Sequence, residues 1–169
     1  MREGTQHMLS TFKKNPKKYA PKNIEHIDMK FEKGLDDICA NCRYDVKFIS
    51  ESKPLYEEFK SYNSETWSKI ANDKGFIKQF ESYLQIRDLK NIDDLAYVIN
   101  SNKANINEVK QAFKELFKNK KDELFEIILK NNTLKNNLLG EGLTKSEAKN
   151  VFGDLINSTD SVLYNFIKF

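Results

Sequence analysis

The chain has 169 residues, of which 39% are hydrophobic and 12% aromatic, enough to build a real core and too apolar for a disordered segment. Charged residues make up 31%, but the net charge is only +3, which leans mildly towards anionic partners and excludes a histone-like basic protein. No apolar run approaches a membrane span, and the opening Met1-Arg2-Glu3-Gly4 leads into polar sequence rather than a secretory leader.

Residues 2–12 predict a short amphipathic helix with Met8, Leu9 and Phe12 on one side. Glu3 and His7, four apart, share a face. Pro16 and Pro21 then break the pattern within a basic loop that carries Lys13, Lys14, Lys17, Lys18, Tyr19 and Lys22. Those lysines suit phosphate contacts, or they simply solubilise a loop. Residues 23–31 alternate, with Ile27, Met29 and Phe31 on one side, and predict a first strand. Gly34 and Asp36-Asp37 read as a loop. Cys39 and Cys42 form a lone CxxC. It reads as plain turn thiols, with a zinc site completed by His7 and His26, or a redox pair, as alternatives.

Residues 44–49 and 55–61 are strand-like and flank a polar, Pro-containing turn, which is a hairpin signal. A turn centred on Glu51 and Ser52 places Asp45 opposite Glu58, about 5 Å apart between Cβ atoms. Alternation puts Lys60 on the same face as Glu58. Two carboxylates and an ammonium on one patch suit metal-assisted phosphodiester hydrolysis, with Mg²⁺ or Mn²⁺ held by hard oxygens. A solvated face of a charged hairpin is the competing reading.

A helix is expected to begin within residues 65–71 around Trp67 and to break at Gly75. Residues 76–86 are strongly helical by spacing, with Phe76, Phe80, Tyr83 and Leu84 on one stripe. Gln79 and Tyr83 lie one turn apart and either face the hairpin together or divide between surface and core. Beyond residue 90 the pattern reads as helical. Asn91 opens residues 92–100, and 96–99 is the best candidate for a further strand. Asn105 with Glu108 and Thr144 with Glu147 form capping boxes at two helix starts. A helix over 121–130 and a short one over 134–139, stopped by Gly140, lie between them. Residues 162–169 are apolar enough to dock. The expected fold is α/β (α+β), with a catalytic front over residues 1–88 and a helical extension over 89–169 packed on it.

On these residues the front half resembles the PD-(D/E)xK nuclease superfamily. An acid on one strand, Asp45, precedes Glu58-Phe59-Lys60 on the next, although Tyr44 stands where the family has proline. Gln79-Phe80-Glu81-Ser82-Tyr83 is similar to the Gln-x-x-x-Tyr motif of the RecB-like branch. The resemblance implies a helix, a three-stranded meander, a helix and often a fourth strand. It implies that Asp45 and Glu58 bind metal, that Lys60 positions water, and that Gln79 and Tyr83 lie near the substrate. It also implies a further glutamate as a metal ligand, for which Glu3 is the best match and Glu25 and Glu32 are weaker ones. The chain further resembles the C-terminal toxin domains of bacterial polymorphic and contact-dependent inhibition toxins, and its abrupt start suits a segment of a larger secreted protein. That implies a nucleic acid substrate, an immunity protein as partner, no membrane association, and action in the cytoplasm of a target cell. A non-catalytic binding module on a nuclease-like fold is the alternative.

Overall fold

The computed structural model describes residues 3–30, 43–50 and 53–169. Gly34, Asp36, Asp37, Glu32, the Cys39–Cys42 pair and the turn residues Glu51 and Ser52 lie outside them. Helix α1 (Glu3–Lys14) is followed by a one-turn 3-10 segment at Pro21–Asn23 and strand β1 (Ile24–Lys30). Strands β2 (Arg43–Ser50) and β3 (Lys53–Lys60) form the hairpin. Helices α2 (Ser64–Trp67) and α3 (Lys74–Leu84) come next, then strand β4 (Leu95–Ile99). Helices α4 (Ile106–Asn119), α5 (Lys121–Lys130), α6 (Asn132–Leu139) and α7 (Lys145–Asn157) lead to a short strand, β5 (Ile167–Lys168). The protein is therefore mixed α/β, with a five-stranded sheet and seven α-helices among the described residues. None of the described helices is long and apolar enough to cross a membrane.

The sheet runs β1-β2-β3-β4-β5 in space. The first three strands are antiparallel, and β4 and β5 add in parallel to β3 and β4. Strands β3 and β4 are central, so side chains of both faces are buried. Along β3, Leu55 and Phe59 join Val46, Phe48, Ala96 and Val98 beneath Met8 and Phe12 of α1. Tyr56, Leu95, Tyr97 and Ile99 turn to the other face, where Phe76 and Phe80 of α3 and Phe113 and Phe117 of α4 cover them. Gly4 lets α1 approach closely, since a Cβ there would stand 3.3 Å from the Phe59 carbonyl oxygen. The second half of the chain does more than cover the front. It supplies β4, β5 and most of the helical core, which truncation of any one buried Phe would weaken by about 3–5 kcal/mol.

Local signals explain most helix starts. Asn105 and Glu108 cap α4 reciprocally, and Thr144 and Glu147 do the same for α7. The Asp73 carboxylate accepts the Gly75 and Phe76 N–H groups and starts α3, so Gly75 sits in the first turn of that helix instead of ending one. Residues 92–100 are not the helix expected to open at Asn91, whereas 96–99, the candidate for a further strand, lie in β4. Asn91 opens only a 3-10 turn, Ile92–Asp94, after which the chain extends into β4. The apolar run Leu95–Ile99 is buried on both sides, and such short runs carry no periodicity to separate strand from helix.

Candidate active site

Strands β2 and β3 pair from Ser50↔Lys53 to Val46↔Glu57. Beyond that point each keeps its other neighbour: Tyr44 and Arg43 continue along β1, while Glu58 and Lys60 continue along Tyr97 and Ile99 of β4. The strands are thus held apart from outside, and their own ladder stops. One step past Val46↔Glu57 the register sets Asp45 against Glu58. The Asp45 Oδ2 accepts the Phe59 N–H at 2.7 Å, taking up a backbone donor that the interrupted ladder leaves over.

Glu58 and Lys60 point to the α3 face. Lys60 Nζ donates to Glu58 Oε1 at 2.5 Å and to Gln79 Oε1 at 3.0 Å. Gln79 Nε2 donates back to Glu58 Oε1 at 3.1 Å, and the Tyr83 hydroxyl donates to Glu58 Oε2. Gln79 and Tyr83 reach one carboxylate together because they lie one helical turn apart on α3. The buried stripe of Phe76, Phe80 and Leu84 fixes that helix in rotation. The network is nearly sealed, with Glu58 4% and Lys60 7% exposed.

Burial pushes the Asp45 carboxyl up to about 7, helped by the Glu58 carboxylate beside it and opposed by the Phe59 N–H and Lys60. Burial by itself would lower the Lys60 ammonium. The Glu58 carboxylate, with Tyr62 and Asp45, outweighs it and leaves the Lys60 pKa above its ordinary value. Lys60 therefore stays charged, and Tyr62, Phe76 and Tyr97 ring it at 5.5, 5.7 and 5.9 Å. Burial, then the Glu58 charge, raises the Tyr83 hydroxyl well above its usual range, so it acts as a neutral donor.

Asp45, Glu58 and Lys60 line an open cleft of about 710 Å³, walled by the first turn of α1 and by Ile27 and Asp28 of β1. Two hard carboxylates beside each other suit a divalent cation, which would offset the repulsion that raises Asp45. Three donors occupy Glu58, which leaves about one of its four lone-pair positions. Among the described residues no three His, Cys, Asp or Glu side chains gather closely enough to hold a cation. A cation at the pair would complete its shell with waters and substrate oxygens, as Mg²⁺ commonly does.

Five of the expected site residues, Asp45, Glu58, Lys60, Gln79 and Tyr83, come together. Glu3 lines the same cleft, but its carboxylate lies 3.3 Å from Lys103 Nζ at the rim. Glu25 pairs with Lys47 at 3.1 Å. The basic loop divides. Lys13 and Lys17 are exposed, and Lys14 lines an adjoining groove. Lys18 turns to the α1 face and pairs with the buried Glu57 at 2.7 Å, because β3 sends Glu57 and Glu58 to opposite sides. Of the two histidines weighed for zinc, His7 lies 3.2 Å from the Val98 carbonyl oxygen, to which its Nε2 donates, and His26 sits on β1.

Two residues around the site, Asp28 and Tyr97, escaped the sequence reading. Asp28 adopts a positive φ of 51° within β1, and Arg43 holds its carboxylate at 2.7 Å and its carbonyl at 2.6 Å. An aspartate inside a strand is the available signal, since Asp is depleted in strands and tolerates the left-handed region. Tyr97 is fully buried beside Lys60, and its hydroxyl has no hydrogen-bond partner among the described residues. It arrives through the parallel β3–β4 register, which no local pattern encodes. Compared with known proteins, the chain matches no family model, no curated protein and no solved structure.

Proposed function

We propose that the protein is a metal-dependent nuclease that hydrolyses phosphodiester bonds of DNA or RNA, with tRNA among the candidate substrates. The observation that carries this reading is the meeting of Asp45, Glu58 and Lys60 in an open cleft where β2 and β3 part. Asp45 and Glu58 would hold Mg²⁺ or Mn²⁺. Such a cation, when bound, polarises a phosphoryl oxygen and makes a coordinated water more acidic. Lys60, kept charged by its surroundings, orients the attacking water and offsets charge that develops on the phosphoryl oxygens. Gln79 and Tyr83 fix the Glu58 carboxylate and the Lys60 ammonium in place, and the rings around Lys60 exclude bulk water.

Following the resemblance, the proposal extends to a toxin domain. It would be delivered as part of a larger secreted or cell-surface protein, act in the target-cell cytoplasm, and be restrained by an immunity protein over the cleft. A second reading, a non-catalytic binding module, draws on the same network, because Glu58 is already satisfied by three donors within the protein. Incubation with plasmid DNA and with total tRNA separates the two, with Mg²⁺, with Mn²⁺ and with EDTA, alongside Asp45→Ala and Lys60→Ala. The nuclease reading expects metal-dependent cutting that both variants lose. Absence of cutting on either substrate with either metal supports the binding module.

A further inference from the structure

The cleft does not end at Asp45 and Glu58. Past Glu3 and Ser61, which line both, it continues into a second groove of about 460 Å³ between α1 and the segment that joins β4 to α4. A polymer with one phosphate at Lys60 would pass its neighbouring unit into this groove. The lining chemistry is distinctive. Gln6 and Asn102 offer amides, each both donor and acceptor. Lys14 and Lys103 stand on opposite walls. Phe169 also lines it, a large ring that remains 47% exposed on a molecule whose other described phenylalanines are mostly buried.

His7, also in the wall, adds no charge. Burial lowers its pKa, and the neighbouring Lys14 lowers it further against the opposing pull of the Val98 carbonyl. Glu3, also in the wall, pairs with Lys103 at 3.3 Å, so the net positive charge of the groove rests on Lys14, while the amides and the ring are neutral. Positive charge for a backbone, with an aromatic platform for a base, is the combination that binds single strands. Amides that carry both donors and acceptors match base edges, which do the same. In a duplex those edges and faces are occupied by pairing and stacking, and a base reaches such a pocket only when it is unpaired or flipped out.

We infer that this groove binds an unpaired nucleotide next to the scissile phosphate, with its base stacked on Phe169, so that the substrate is single-stranded or a loop rather than duplex. The inference rests on the nuclease reading for its choice of neighbouring site, but its test reads binding and not cleavage. Short fluorescently labelled single strands of DNA and RNA, and the same strands annealed, are titrated with the full chain carrying Asp45→Asn in Mg²⁺ buffer.

The expected result is at least tenfold tighter binding of a single strand than of its duplex. Phe169→Ala should weaken the single strand by about five- to a hundredfold, the range for loss of one base–aromatic stack. Phe169→Trp should restore it, which a merely structural role for an exposed ring would not require. Equal affinity for strand and duplex, or indifference to Phe169→Ala, overturns the inference. If the wild-type chain cuts nucleic acid but shows that indifference, the groove proposal fails and the nuclease reading stands. If single strands bind through Phe169 while nothing is cut, the groove proposal stands without the nuclease reading.

Discussion

Glu57 and Glu58 stand side by side on β3, 2% and 4% exposed, yet strand alternation sends them to opposite faces of the sheet. Glu57 meets Lys18 at 2.7 Å and the Tyr19 hydroxyl at 2.8 Å beneath α1, and it lines neither the cleft nor the groove. Glu58 meets Lys60, Gln79 and Tyr83, with a second carboxylate, Asp45, facing it across an open cleft. Both are buried acids satisfied by an ammonium and a phenol. The difference is that the Glu57 cluster holds one acid, balanced by Lys18, whereas the Glu58 cluster brings a second acid, Asp45, beside the first along an open cleft. A buried acid alone is therefore a poor marker of chemistry. An acid that keeps another acid at an opening is a better one.

The strongest way to break this comparison is a matched pair of isosteric substitutions. Glu58→Gln should lower metal-dependent cleavage by about a thousandfold, in line with loss of one charged group at a reacting centre, and Glu57→Gln by less than about threefold. Comparable loss in both, measured as initial rates on the same substrate, would make the two faces equivalent and remove Glu58 from the machinery.

Stability should answer on the Glu57 side as well. In Glu57→Ala, Lys18 can return to water, but Tyr19 keeps a buried hydroxyl without its acceptor. The expected loss is about 1–3 kcal/mol in denaturant unfolding. Glu57→Ala as stable as wild type would show that the α1-side cluster holds nothing together.

The Asp45 carboxyl sharpens the contrast through pH. Its pKa is raised from the ordinary carboxylate value to about 7 in the folded protein, so folding favours its protonated form. The stability this contributes is complete below the unfolded value near pH 4. It is lost as pH rises through about 7, a change of about 4 kcal/mol over the whole window. Asp45→Asn, which keeps an acceptor for the Phe59 N–H, should flatten that fall in thermal melts without metal and be the more stable protein at pH 8. A wild-type curve parallel to that of Asp45→Asn between pH 5 and pH 8 would contradict the crowding of the two acids.

The smallest effect concerns the basic loop. Lys18→Met, which takes the cation from the buried Glu57 and not from the cleft, should leave the salt dependence of nucleic acid binding unchanged. Lys14→Ala, in the groove, should weaken binding and reduce that salt slope. A reduced slope in Lys18→Met would return that residue to the substrate path.

Much of this site was legible before any coordinates. The ladder from Ser50↔Lys53 to Val46↔Glu57 has the register expected of the sequence, with Pro54 inside β3 and not in the turn, and strand alternation then leaves no freedom over which residues share a face, so Asp45, Glu58 and Lys60 followed. Helical spacing brought Gln79 and Tyr83 to one side of α3, and capping boxes marked the starts of α4 and α7. These are local rules that act over a few residues. The tertiary structure decided what depends on contacts far apart in the chain. The hold of β1 on Arg43 and of β4 on Glu58 opens the space between β2 and β3. The choice of Lys18 for Glu57, the pairing of Glu3 with Lys103, and the arrival of Tyr97 beside Lys60 are likewise long-range. So is the groove between α1 and the residues after β4. A sequence states which side chains are available to meet at a strand or helix face. Which of them become neighbours across the sheet is settled only when distant elements pack, because burial energy is shared by the whole core and no short stretch contains it.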